Sequence, residues 1–183
     1  MQSWAETLIA AQVDGTALTA AAAATALPAA AKYTLPPNFF QAIGQQLIVE
    51  ASGRISSVIT TPGTARYDVR FGATVIFDGL AALLETAAGY TNVGWMLSIL
   101  LTCRAIGTSA NLMGQGMFTA VNLLGVPATA PKPAITAMLP WNSAPAVGNN
   151  FDSTVSQVVD LFFTQTVATG SMTLHQYRLL RPN

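Results

Sequence analysis

The one histidine and the one cysteine are the natural starting point for chemistry in this chain. His175 follows Leu174 and precedes Gln176, and Cys103 lies in the run WMLSILLTCRA. A cysteine activated by a histidine is a nucleophile, and a histidine with a second soft ligand at short spacing holds a metal. Cys103 is flanked by apolar residues, where a thiol is normally buried and inert. His175 has no second His or Cys near it in sequence. The carboxylates Asp78, Glu85, Asp152 and Asp160 are scattered. A glycosidase needs two of them facing each other across a cleft. On one continuous strand Asp152 and Asp160 would share a face but stand about 26 Å apart, too far to act together. Asp152-Ser153-Thr154 reads as a turn. Gly114-Gln115-Gly116 lacks the third glycine and the strand–helix setting of a phosphate loop. No catalytic, cofactor-binding or metal-binding residue is assigned, and the expectation is a protein without enzymatic activity.

The elements around these residues follow a two-residue period. Over Arg66–Asp78, Tyr67, Val69, Phe71, Ala73, Val75 and Phe77 fall on one face. Arg66, Asp68, Arg70, Thr74 and Asp78 fall on the other. That alternation predicts one strand with a buried face, Phe71 and Phe77 in the core. The period returns at Val93, Trp95, Leu97, Ile99, Leu101, Cys103 and Ala105, with Met96, Ser98, Leu100, Thr102 and Arg104 opposite. Further strands are expected over Thr7–Val13, Gln46–Ser52 and Ile55–Thr60, with Gly53 between the last two as a turn. Asn111–Leu123 is a strand pair or one bent strand, with Gly114 and Gly116 marking a bulge. Ser153–Val167 and Met172–Arg181 read as a hairpin joined at Thr169-Gly170-Ser171. Asn38–Gln45 suggests one helical turn, Gly79–Asn92 a connection with either a short helix or a strand, and Gly125–Pro145 a long loop with a short strand at Ile135–Leu139.

About eight strands at near-regular spacing make an all-β chain: a two-sheet antiparallel sandwich, jelly-roll-like, with a barrel as the alternative. Residues 38–183 form the sandwich domain. Residues 1–37 form an N-terminal extended arm or edge strands. Their Ala/Thr run is broken by Pro28, Pro36 and Pro37, and Ala17–Ala26 is left open between helix and extended chain. The larger side chains of this segment, Trp4, Leu8, Leu18, Leu27 and Tyr33, are candidate contacts to a neighbouring subunit. Trp141, in a loop, is another, and a stacking platform for a sugar is its second reading.

Composition narrows the class. Of the 183 residues 51% are apolar and only 9% charged, with eight basic and eight acidic side chains. A globular domain usually carries about 25% charge. A neutral, charge-poor surface gives little repulsion between copies and points to burial in an assembly. With no basic cluster, nucleic acid is not an expected partner. The N-terminus has no basic, long-apolar leader pattern, and the run Val93–Leu101 is well short of the roughly 18 residues of a membrane span.

The segments LPPNFFQAIGQQLIVEASGRIS, TTPGTARYDVRFG, WMLSILLTCRAIG, ANLMGQGMF, PAVGNNFDSTVSQVVDLF and LHQYRLL resemble a family of tailed-bacteriophage virion structural proteins. The likeness runs from about Pro36 to the C-terminus and is weak between Val121 and Pro140. It implies a non-enzymatic jelly-roll-like particle component, a homotrimer, on the capsid surface after assembly in the host cytoplasm. Its partners would be itself and the major capsid protein or other virion proteins, with no cofactor, nucleic acid or membrane. Decoration or cementing of the capsid is the first role implied. A head spike or tail-fibre knob that binds a host glycan or receptor is the alternative.

Overall fold

The computed structural model describes residues 4–58, 60–86, 88–124 and 134–182. Among the described residues twelve strands form two antiparallel sheets. The first sheet holds β1 (Ala5–Ala10), β12 (Ser171–Pro182), β4 (Gln46–Ser57), β8 (Tyr90–Ala105), β9 (Asn111–Leu124) and β10 (Ala134–Leu139), in that spatial order. The second holds β2 (Ala23–Thr25), β11 (Gln157–Gln165), β5 (Thr64–Phe71) and β6 (Thr74–Asp78). In this second sheet β3 (Tyr33–Leu35) also pairs with β11, and β7 (Ala82–Leu83) with β5. The chain alternates between the sheets as it proceeds. The order β1-β12-β4-β8 over β2-β11-β5-β6 is the double Greek key of a jelly roll. The hairpin β9–β10 extends the first sheet by two strands.

The inward faces follow the expected period. Trp95, Leu97, Ile99, Leu101 and Cys103 of β8 are buried, and so are Tyr67, Val69 and Phe71 of β5. Tyr67 is the hub of one aromatic cluster, with ring centroids 5.1 Å from Trp95 and Phe118 and 5.2 Å from Phe163. Phe40, Phe71 and Phe151 form a second, where Phe71 and Phe151 meet edge to face at 4.8 Å. Such pairs add about 0.5–1.5 kcal/mol each beyond the area they bury.

Several elements differ from their sequence-based expectation. Arg66–Asp78 is a hairpin, β5 and β6, turning at Gly72 with φ +57°. Pairing Phe71 with Thr74 reverses the inward parity, and the register shift between Val69 and Arg70 restores it. Ile76 and Phe77 are therefore both buried. Gly53 is not a turn: β4 runs through it. A Cβ there would lie 2.0 Å from the Thr173 carbonyl oxygen, so glycine admits close approach of β12. Gly114 and Gly116 mark no bulge; they face inward in one continuous β9, and a Cβ on Gly114 would lie 2.2 Å from the Phe77 ring. Thr169-Gly170-Ser171 is not a hairpin but an arch, since β11 and β12 lie in different sheets. Asn38–Gln45 makes turns instead of a helical turn, with Asn38 and Gly44 at positive φ. Asp152 lies in a turn before β11, so it shares no strand with Asp160. The segment 81–88 contributes the short strand β7, and the expected short strand at 135–139 is β10. Residues 125–133 of the expected loop, residue 59 of the expected strand over 55–60, residue 87 of the segment 81–88, and residues 1–3 of the N-terminal segment lie outside the described residues.

The N-terminal segment lies along its own sandwich. β1 pairs with β12 over Ala5–Ala10, and β2 and β3 pair with β11. Ala17–Ala26 is extended: Leu18 bridges Met172 and Ala23–Thr25 is β2, and a single 3-10 turn, Ala29–Ala31, links β2 to β3. Ala26, Leu27, Ala31 and Leu35 are core residues. A chain lacking residues 1–37 therefore loses two of the eight jelly-roll positions. It is expected to show no cooperative thermal transition by circular dichroism. A transition like that of the full chain would show that β1–β3 are dispensable.

Candidate functional site

The residue types with chemical potential are kept apart. Cys103 is buried and its Sγ–H donates to the Ala105 carbonyl oxygen; burial pushes its thiol pKa up, away from the reactive thiolate. His175 lies 2.9 Å from Asp14 through Nδ1 at the edge of the first sheet. Asp152 accepts hydrogen bonds from the Thr154 hydroxyl and backbone N–H, which hold its carboxyl below the usual carboxylate range. Among the described residues no three His, Cys, Asp or Glu side chains are grouped to hold a metal ion.

Six ionic side chains pair on the outer face of the second sheet. Asp160 is bound by Lys32 at 2.6 Å and by the Thr25 hydroxyl at 2.6 Å. Arg66 grips Asp78 through two bonds of 2.7 Å. Asp68 has no exposed side-chain surface; Arg70 binds it and stacks its guanidinium 3.8 Å over the Phe162 ring. The hydrogen bond to Asp68 raises the Arg70 pKa further. Tyr67 and Tyr177, both deep in the core, have phenol pKa values raised by burial, so neither ionises in use.

The outer face of the first sheet is different. Strand pairing sets rows across it: Ala10, Arg178, Glu50, Ser98, Met117 and Met138 form one, and Gln176, Ser52, Met96, Thr119 and Thr136 the next. Arg178 and Glu50 bind each other. Towards β10 the face turns apolar. Met96 is 66% exposed, Met138 56% and Val121 58%, with Leu100 and Met117 also exposed. A groove of about 700 Å³ runs over this face, floored by Ala51, Leu97 and Tyr177 and walled by Glu50, Arg178, Gln176, Met96 and Met117. The cause lies in β9. Its inward positions are Leu112, Gly114, Gly116, Phe118 and Ala120, so the alternation sends Met117 and Val121 outward. Exposed apolar side chains that cluster on one face mark an interaction surface.

The partner contacts expected from sequence do not converge. Trp4 is exposed just ahead of β1, and Leu8 and Leu18 are half-buried at that edge of the first sheet. Leu27 is buried in the chain's own core, so it is not presented to a neighbour, and Tyr33 is half-buried in β3. Trp141 follows β10 at the opposite edge, packed on the core with its backbone N–H donating to the Gly79 carbonyl oxygen. The Met-lined face was not anticipated. Its signal was the apolar pair Met96 and Leu100 on the outward side of β8.

No protein-family model and no curated protein matches the chain. Among solved structures it is similar to the CBM2 module of the evolved Dit of Lactobacillus casei BL23 phage J-1, at 7% identity and a TM-score of 0.35, covering 83% of this chain and 68% of that one. An overlap so loose transfers neither fold nor function. Among the described residues no helix is long and apolar enough to cross a membrane.

The buried carboxylate of Asp68 gives a direct check on the charged face. Asp68→Ala leaves Arg66 and Arg70 without it and is expected to lower unfolding stability by about 1.5–3 kcal/mol in urea titrations, the range for hydrogen bonds to charged groups. Asp78→Ala, at a part-exposed pair, should cost about 1 kcal/mol or less. Equal effects at the two positions would contradict the burial difference.

Proposed function

We propose that the protein is a non-enzymatic structural component of a tailed-bacteriophage virion, a capsid decoration or cement protein that binds between major capsid protein subunits. The observation that carries this reading is the division of the surface. The charges on the outer face of the second sheet pair with one another, while large apolar side chains stand outward on one face of the first. A face of that kind suits a domain that works when covered. The jelly-roll sandwich, the low charge and the resemblance of Pro36 onward to virion structural proteins support the same reading. Hydrophobic burial at about 25 cal/mol per Å² drives such docking without ion pairs.

The test is binding to heads assembled without the protein. Saturable uptake and a higher temperature of head rupture are expected. Heads that take up none, and rupture at the same temperature, would sink the proposal.

A second reading, a knob that binds a host glycan, is favoured by one feature. The groove on the first sheet offers hydrogen-bonding groups from Glu50, Ser52, Ser98, Gln176 and Arg178. A glycan array should then give hits that vanish with Glu50→Ala. An array without hits removes this reading and leaves the first untouched.

A further inference from the structure

We propose that the outer face of the first sheet docks on a protein surface that is apolar at its centre and carries carboxylates at two places about 33 Å apart, facing Arg54 and Arg104. This rests on the capsid reading above and states the chemistry that the partner must have.

The observation behind it is an imbalance of charge. Over β4, β8, β9, β10 and β12, Glu50 is the only carboxylate among the described residues, against four arginines. Arg178 holds Glu50, and Arg181 lies 5.0 Å over the Phe39 ring at the end of the sheet. Arg54 and Arg104 are exposed, and among the described residues no carboxylate pairs with either. They bracket the methionine patch. Arg54 stands opposite Gly94 near the start of β8, and Arg104 lies ten positions on from Gly94, near the other end of that strand. Gly94 has no side chain to cover the Arg54 guanidinium, and even a Cβ there would meet open space. Between the two arginines the outward positions of β8 are Met96, Ser98, Leu100 and Thr102, with Met117 of β9 beside Ser98.

An apolar centre with a charged rim is the anatomy of a protein–protein interface. The apolar area supplies affinity but little orientation. Two cations at opposite ends fix how a partner lies along the strands and speed its approach. A guanidinium also binds a carboxylate through two parallel hydrogen bonds, which an ammonium group does not. Charge complementarity selects among occupants. A second copy would bring the same arginines and no free carboxylate on this face. A nucleic acid or an acidic polysaccharide is followed by a continuous stripe of cations. Here thioethers and a leucine fill the span between the two. A folded protein surface with separated acidic side chains fits both the patch and its ends.

The test is the rate at which the full chain associates with heads assembled without it, between about 50 and 500 mM NaCl. The wild-type rate is expected to fall about 5-fold or more across that range, because exposed pairs are screened. The double variant Arg54→Gln with Arg104→Gln should associate about 5-fold more slowly at low salt and match the wild type at high salt. Arg54→Lys with Arg104→Lys should keep the salt dependence and dissociate faster. Val155→Glu with Ala168→Glu lowers the net charge as much as the glutamine pair does, at exposed positions off this face, and should leave the rate unchanged. Thermal melts by circular dichroism must show every variant folded. The wild-type salt profile needs no variant and decides the matter if the glutamine pair does not fold. A rate independent of salt, or equal for the wild type and the glutamine pair, overturns this inference and leaves the capsid reading standing. Heads that take up no wild-type chain sink both. Retention of the wild type but not the glutamine pair on heparin at about 150 mM NaCl would give the face to a polyanion and overturn the inference. So would a dimer in sedimentation velocity that Met117→Lys separates, which would give the face to a second copy.

Discussion

Everything in this molecule depends on closing two sheets over one core without leaving a backbone group of the interior unpaired. The aromatic cluster around Tyr67 is where the two sheets meet, since Tyr67 and Phe163 come from one and Trp95 and Phe118 from the other. These side chains are large, and interiors are packed at near-crystalline density, so smaller residues must be placed opposite them. Gly114 beneath the Phe77 ring is one such place, and Gly116 against Ile99 is another. The outward methionines of β9 follow from that accommodation. A strand whose inner face is given to two glycines, an alanine, one leucine and one phenylalanine has much of its remaining bulk on the other side. The exposed apolar face is thus tied to the packing of the core and is not a separate decoration of the surface.

The polar side of the molecule answers to the same constraint. Asp68 alternates with Tyr67 and Val69 and must point away from the core, yet it is fully covered by its neighbours. A carboxylate that loses water in this way is tolerable only when it is hydrogen-bonded and paired. Arg70, with Arg66 nearby, supplies the charge, and Phe162 supplies the flat surface that keeps the Arg70 guanidinium in place. The ladder of charges on the second sheet therefore holds itself together. It is of little use for attracting another molecule.

The sheets themselves were legible in the residues. Period-two alternation identified β8 almost end to end and placed Phe71 and Phe77 inside. For Phe77 the count succeeded through two cancelling irregularities, the turn at Gly72 and the register shift beside it. What alternation does not encode is which sheet a strand joins. A Gly flanked by Thr and Ser serves a hairpin or an arch equally well, and Gly170 is there because a Cβ would lie 2.7 Å from the Ser56 carbonyl oxygen. That contact is with β4, more than a hundred positions earlier in the chain, and no local pattern reports it. Gly53 and Gly114 were misread for the same reason: their need for glycine comes from a neighbour distant in sequence. The candidate surface was only half visible. Met96 and Leu100 showed on the outward side of β8, but the pairing that sets Met117 and Met138 beside them is tertiary.

The pairing of β1 with β12 has a consequence for how the protein is made. Among the described residues the earliest strand, β1, finds its sheet neighbour in the last one, and β2 and β3 wait for β11. During synthesis at about 5–20 residues per second the first strands emerge with no partner to accept them. The jelly roll cannot close until β12 has left the ribosome. Contacts so distant in sequence make folding slow as well. The alanine- and threonine-rich composition of the early segment suits that interval, because small, weakly hydrophobic side chains give a waiting strand little with which to aggregate. The methionine face, by contrast, lies on strands that form mid-chain, and it is flat and ordered only once the late strands have locked the sheet beneath it. That face is therefore among the last surfaces of the molecule to be completed.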